Sequence, residues 1–294
     1  MKNSIKCLLV FILVLSMSFS SSCAPSAEQK DVQDNRRIGD TGKEQEITVK
    51  EQVLLDRDGV KVTLKGFDPD ALFGPSLEVL VENNNEYSIT VQTADVVVNG
   101  TMQDTIFSCE VSGGKKANDE MTIDQSGLDT AGIEKIKDVE IRFHVVNTDT
   151  MDTIFDSELV TVTISDDPSY VQEYDDSGFL AMDKNGVKIV FQKLDNESFW
   201  GTEVYVYVEN NRDEDIVVQI DEISVNGYMI TPIFSCDVLP GKKAFDTMAF
   251  LDSDLEENNI TSIEEMELVF NVIDRNTWDT IFSSDTITVN FEGQ

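Results

Sequence analysis

The chain has 294 residues, enough for about two domains of ordinary size, and 40 % of them are hydrophobic. Asp and Glu total 56 against 22 Lys and Arg, a formal net charge of −34. So acidic a surface excludes nucleic acid and anionic lipid as direct partners, because both need clustered Lys and Arg.

Residues 1–22 have the form of an export signal: Lys2 and Lys6 precede an apolar run from Cys7 to Phe19. That run is shorter than the ~20 residues a spanning helix needs. Ser20, Ser21 and Ser22 lead into Cys23. Small residues before a cysteine resemble the lipobox of bacterial lipoproteins, which implies a diacylglycerol thioether on Cys23, with palmitate among its acyl chains. Ser20 stands where that family usually has Leu, and ordinary secretion is the alternative. Residues 23–50 then read as a lipidated cysteine and a tether, since 24–46 are polar and too poor in apolar residues to fold.

The rest of the chain repeats itself. Gly59-Val60-Lys61 returns as Gly186-Val187-Lys188, Glu82-Asn83-Asn84 as Glu209-Asn210-Asn211, and Asn99-Gly100 as Asn226-Gly227. Ile106-Phe107-Ser108-Cys109 returns as Ile233-Phe234-Ser235-Cys236, and Gly114-Lys115-Lys116-Ala117 as Gly241-Lys242-Lys243-Ala244. Every pair is 127 residues apart (186 minus 59, and likewise for the others), with no gap between about Asp56 and Ile164. A period this long makes each copy a whole domain rather than a solenoid unit. The copies are placed at 51–165 and 178–292, joined by an acidic linker over 166–177.

Each copy reads as all-β. Val60, Val62 and Leu64 alternate with polar neighbours, as do Leu77, Val79 and Val81, then Val139, Ile141, Phe143 and Val145, and in the second copy Val204, Val206 and Val208. Asn99-Gly100 and Asn226-Gly227 are two-residue hairpin signals. One stretch per copy breaks the alternation, Ser126 to Ile133 and Ser253 to Ile260; it reads as a short helix crossing between sheets, with Ser253 as its cap. About seven short strands and one crossover per copy predict two tandem β-sandwiches, with a small barrel as the second choice. The phrases VENNxxxxIxVQ, SVNGYM, TPIFSCDVxPGKKA and SDLEENNI resemble the immunoglobulin-like domains of unknown function found singly or in tandem in Gram-positive lipoproteins. The resemblance covers about 51–292 together with Cys23. It implies a fold and an address, and no active-site residues.

Chemistry-bearing residues are sparse. Cys109 and Cys236 are single in their copies and alternate onto the same face as Phe107 and Val111, or Phe234 and Val238, so they read as buried free thiols. His144 is the only histidine and is expected at the surface, with Asn271 in its place in the second copy. Asp56-Arg57-Asp58-Gly59 and Asp183-Lys184-Asn185-Gly186 resemble the opening of a calcium loop but lack its remaining ligands. Asp149 and Asp152, matched by Asn276 and Asp279, also fit turn chemistry. No catalytic residue, metal site or cofactor is assigned, and an enzyme is not expected. Lys115, Lys116, Lys242 and Lys243 are the candidate binding residues: paired cations kept in both copies of a chain poor in them, read as charge balance or as contacts for an anionic partner. Trp200 and Trp278, which replace Phe73 and Met151, are expected in core or rim packing. The function expected is a cell-surface binding module for an extracytoplasmic partner, protein or envelope polymer, touching the membrane through its lipid only. A structural spacer or accessory subunit of an envelope complex is the alternative.

Overall fold

The computed structural model describes residues 49–198 and 201–291. The signal, Cys23 and most of the tether lie outside the described residues, as does Trp200. The chain from Glu46 to Gln294 forms one compact unit.

In the first repeat the strands are β1 (Gln52–Arg57), β2 (Val60–Asp68), β3 (Ser76–Asn83), β4 (Ile89–Val98), β5 (Thr101–Met102), β6 (Thr105–Ile106), β7 (Ser108–Val111) and β8 (Lys116–Ile123). Helix α1 (Gln125–Thr130) follows, then β9 (Asp138–Asn147), β10 (Thr153–Asp156) and β11 (Val160–Thr163). The second repeat restates the order: β12 (Phe179–Lys184), β13 (Val187–Ser198), β14 (Gly201–Asn210), β15 (Ile216–Val225), β16 (Tyr228–Met229), β17 (Ser235–Val238), β18 (Lys243–Phe250), α2 (Asp252–Glu257), β19 (Glu265–Asp274), β20 (Thr280–Ser283) and β21 (Ile287–Asn290). The counterpart of β6 is a lone bridge between Ile233 and Ala249.

Each repeat is a β-sandwich, and the described residues are all-β apart from two six-residue helices. The first packs a sheet ordered β1-β2-β3-β8-β6 against β4 and β9, which carry β5, β7, β10 and β11. The second packs β12-β13-β14-β18 against β15 and β19, which carry β16, β17, β20 and β21. The alternating residues named above meet between the sheets: Val62, Leu64, Val79, Val81, Ile141 and Phe143 in one core, Val204, Val206, Val208, Phe250 and Phe270 in the other. Strands are more numerous than the seven per copy expected, because several two- to four-residue pieces add to long strands of eight to twelve residues. α1 and α2 cross from one sheet to the other, as the sequence predicts. Ser253 is not the cap of α2: it lies inside the helix, and Leu251 occupies the N-cap with no side-chain bond. In α1 the cap is Asp124, whose carboxylate accepts from Gly127 N at 3.1 Å.

The repeated Asn residues hold each sandwich together. Asn83 is 1 % and Asn210 0 % exposed. Asn83 Nδ2 donates to Tyr87 O (2.8 Å) and Val111 O (2.9 Å), while its Oδ1 accepts from Asn85 N. Asn210 does the same toward Glu214 O, Val238 O and Arg212 N. One amide thus fills the backbone demands of a loop and a neighbouring strand. Asn99 and Asn226 take φ of about +50°, and Oδ1 of each accepts from two backbone amides at the start of β9 or β19. The two calcium-like turns are hairpin turns: Asp58 and Asn185 have positive φ, each followed by a positive-φ Gly.

Candidate functional site: the junction between the repeats

The bulges in β4 and β15 sit at equivalent positions, between Thr93 and Asp95 and between Ile220 and Glu222. A bulge shifts the alternation and re-aims the residue after it. In the first repeat that residue is Asp95, which turns away from its own core and is 5 % exposed under the second repeat. Two arginines meet it. Arg275 Nη1 lies 2.6 Å from Oδ1, and Arg142 Nη1 lies 3.1 Å from Oδ2. Arg142 also reaches Asp215 at 3.4 Å, and Arg275 Nε reaches Asp237 at 3.4 Å. Burial works against the Arg275 charge, but Asp95, Asp237 and Asp215 outweigh it and hold the guanidinium above its usual pKa. A buried carboxylate shared by two guanidiniums is stable only as a set, because removing one member strands the others.

Main chain joins the repeats as well. Lys243 N donates to Gly100 O at 3.1 Å, and β18 pairs in parallel with β5 through Lys243 and Thr101. This bond fuses one sheet of each sandwich into a single ten-stranded sheet. Met102 packs against the second core and Phe245 against the first.

The candidate lysines are used unequally. Lys242 Nζ pairs with Glu140 of the first repeat. Lys243 lies 3.9 Å from Glu209 and stacks its ammonium 4.7 Å over the Tyr174 ring. Both are half-buried at the junction. Lys115 and Lys116, in the same turn of the first repeat, are exposed, and Lys116 pairs with Glu82 in its own sandwich.

The segment read as an acidic linker is bound down rather than free. Asp167 pairs with Lys135 at 2.8 Å, and that bond, with two more to Ser169, holds its carboxyl well below the usual range. Gln172 Oε1 accepts from Tyr170 OH and Asn99 Nδ2, Gln172 Nε2 donates to Gly132 O, and Tyr174 OH donates to Asn99 O. Aromatic residues among the acids give this segment something to pack, and the Asn99 turn gives it main-chain acceptors.

Beside Asp95 opens a polar cleft of about 430 Å³, lined by both repeats and including Gln103, Asp104, Asp237, Asp246 and Arg275. Burial pushes the Asp246 carboxyl up to about 6, and Asp104 and Asp237 add to the rise. Burial also raises Asp237. The Cys236 thiol at the cleft wall is raised well above its usual value by burial and by Asp246 and Asp237, which makes it a poor nucleophile. Cys109 is likewise buried, free and pushed up to about 12. Among the described residues no group of His, Cys, Asp and Glu side chains is arranged to hold a metal ion. His144 is partly exposed on the outer face, with Nδ1 2.6 Å from Asp156.

Trp278 departs from expectation. It is 67 % exposed, with Met151 at the equivalent place 71 % exposed, so neither packs into core or rim. Both have φ near +60° in the loop between the last long strand and its neighbour, where glycine is the usual occupant.

Sequence reasoning missed Asp95, Arg142, Arg275, Asp215 and the Tyr174 strap. A signal existed in the repeat itself. Junction positions are where the copies diverge: Arg142 faces Val269 in the alignment, Arg275 Thr148, Asp215 Ser88 and Phe245 Asn118.

No family model and no curated protein sequence matches the chain. Among solved structures it is similar to the YadV chaperone, at 10 % identity, TM-score 0.24, covering 73 % of this chain and 91 % of that one. It is also similar to the Salmonella enterica SafA pilin in complex with the SafB chaperone, at 13 % identity, TM-score 0.21, covering 73 % and 88 %. A third is a protein of unknown function from Porphyromonas gingivalis W83, at 11 % identity, TM-score 0.23, covering 79 % and 97 %. At these scores the likeness carries nothing about function.

Proposed function

We propose that the chain is an exported, lipid-anchored protein of the Gram-positive type, tethered through Cys23 on the extracytoplasmic face. Its two sandwiches work as a non-enzymatic interaction module. The observation that carries the reading is the use of the second Gly-Lys-Lys turn. There Lys242 and the Lys243 backbone seat the second repeat on the Glu140 carboxylate and the Gly100 carbonyl of the first, so this turn is a docking element in its own right. The first repeat presents the same turn, with Lys115 and Lys116, to solvent. The partner it suits is anionic, a protein or an envelope polymer.

Residues 46–294 immobilised and exposed to detergent-solubilised envelopes test this. The expected result is a retained partner that is lost from Lys115→Glu/Lys116→Glu; retention unchanged by that variant overturns the reading. Acyl-chain labelling of wild type and Cys23→Ser tests the anchor, and equal labelling removes it. The tight junction favours a second reading, a rigid spacer. A protein that retains nothing yet keeps the junction supports that alternative.

A further inference from the structure

The junction is a head-to-tail contact: the Asn-Gly end of one repeat seats on the Gly-Lys-Lys end of the next. Such a contact is heterologous, and using it once leaves one face of each kind open. The open faces are the Gly-Lys-Lys end of the first repeat and the Asn-Gly end of the second. We infer that a second copy of this chain docks there, the Asn226-Gly227 end of one copy seating on the Lys115-Lys116 end of the next to give open head-to-tail chains.

Three observations carry this. First, the tip residues at the internal contact are covered, and their counterparts are bare and apolar. Thr101 is 0 % exposed and Met102 is partly buried, whereas Tyr228 is 50 % and Met229 73 % exposed. Second, the contacts made from shared repeat positions survive in the outer pair. Lys242 with Glu140 becomes Lys115 with Glu267, and Lys243 N to Gly100 O becomes Lys116 N to Gly227 O. Third, the Arg142–Asp215 pair is lost from both faces together. Arg142 and Asp215 pair at the junction; their counterparts Val269 and Ser88 are both neutral, so neither strands a charge. Glu264, Glu265 and Glu267 add negative charge at the open end opposite the two lysines, while Glu222, in the place of Asp95, has Thr148 and Val269 in place of the two arginines. The outer pair lacks Arg275, Phe245 and the Tyr174 strap, so it binds more weakly than the internal one and depends on concentration.

This inference rests on the reading of the Gly-Lys-Lys turn as a docking element and names its partner. The test is sedimentation velocity on residues 46–294 from about 1 µM to about 1 mM, the range of weak specific contacts. Mass that rises with concentration and passes two copies without a plateau is expected. Lys115→Glu and Glu267→Lys, both at exposed positions, each weaken association about tenfold or more through like charge. The double variant, and an equal mixture of the two single variants, restore it. A chain monomeric throughout, a plateau at two copies, or a double variant that stays monomeric overturns the inference. A monomer that still retains an envelope partner through Lys115 leaves the proposed function standing and removes only self-docking.

Discussion

The buried amides of Asn83 and Asn210 explain why Glu-Asn-Asn is among the best-kept phrases of the repeat. Each side chain makes three bonds to main chain in a place water does not reach. Asn210→Ala leaves Glu214 O, Val238 O and Arg212 N without those partners and is expected to cost about 2–3 kcal/mol; urea unfolding measures it. Asp246 is a different case, a carboxyl held above its ordinary value of 3.8 at about 6 by burial. Between those values the folded chain binds more protons than the unfolded one, so this group's contribution to stability falls as pH rises through that window. Asp246→Asn removes the cost of ionising it while leaving an oxygen for Thr247 N. The variant is expected to be more stable than wild type by about 2 kcal/mol at pH 7.5, a gain that vanishes by pH 3.5. Parallel melts at the two pH values decide it; a gain equal at both refutes the assignment.

At the scale of the element, the two hairpin loops that end β9 and β19 store strain in the same place. Trp278 N donates to Asp274 O and Met151 N to Asn147 O, each at 2.8 Å, and the Asp or Asn side chain accepts from the amides between. This geometry forces positive φ on a bulky residue, which costs about 1–2 kcal/mol. Trp278→Gly relieves it against the greater chain entropy of glycine. With the side chain already in solvent, the net expectation is a gain of up to about 1 kcal/mol, read as a rise in Tm. A loss of stability would show that the indole packs in solution. The Asx bonding accounts for Asn147 and Asp274 as turn chemistry. The strand alternation of these elements was legible in sequence because each has one face on a core. The positive φ was not, because the pattern Thr-Trp-Asp-Thr carries no glycine to announce it.

At the scale of the molecule, two sandwiches that each own a core are coupled through Asp95, Arg142 and Arg275, one parallel bridge and the Tyr174 strap. Coupling of this kind makes unfolding of the pair cooperative. Asp95→Ala leaves Arg142 and Arg275 with only the longer contacts to Asp215 and Asp237 and is expected to cost about 3 kcal/mol. It is also expected to split one calorimetric transition into two, one per repeat. A single transition displaced downward would mean that main chain and strap hold the junction without the ion pairs.

The amino-acid sequence by itself determined the repeat, the period of 127, the sandwich class and the core faces. These are local or self-comparing properties: alternation follows from the two-residue period of a strand, and duplicated phrases mark the turns that every copy of a fold needs. Only the tertiary structure decided that Lys242 and Lys243 are spent inside the molecule while Lys115 and Lys116 face out. The four share the phrase Gly-Lys-Lys-Ala in the same turn, and the nearby differences, Pro240 for Gly113 and Phe245 for Asn118, do not say what lies across each turn. What separates them is the surface laid across each turn, and that is set by residues more than 100 positions away in the chain, such as Glu140 opposite Lys242.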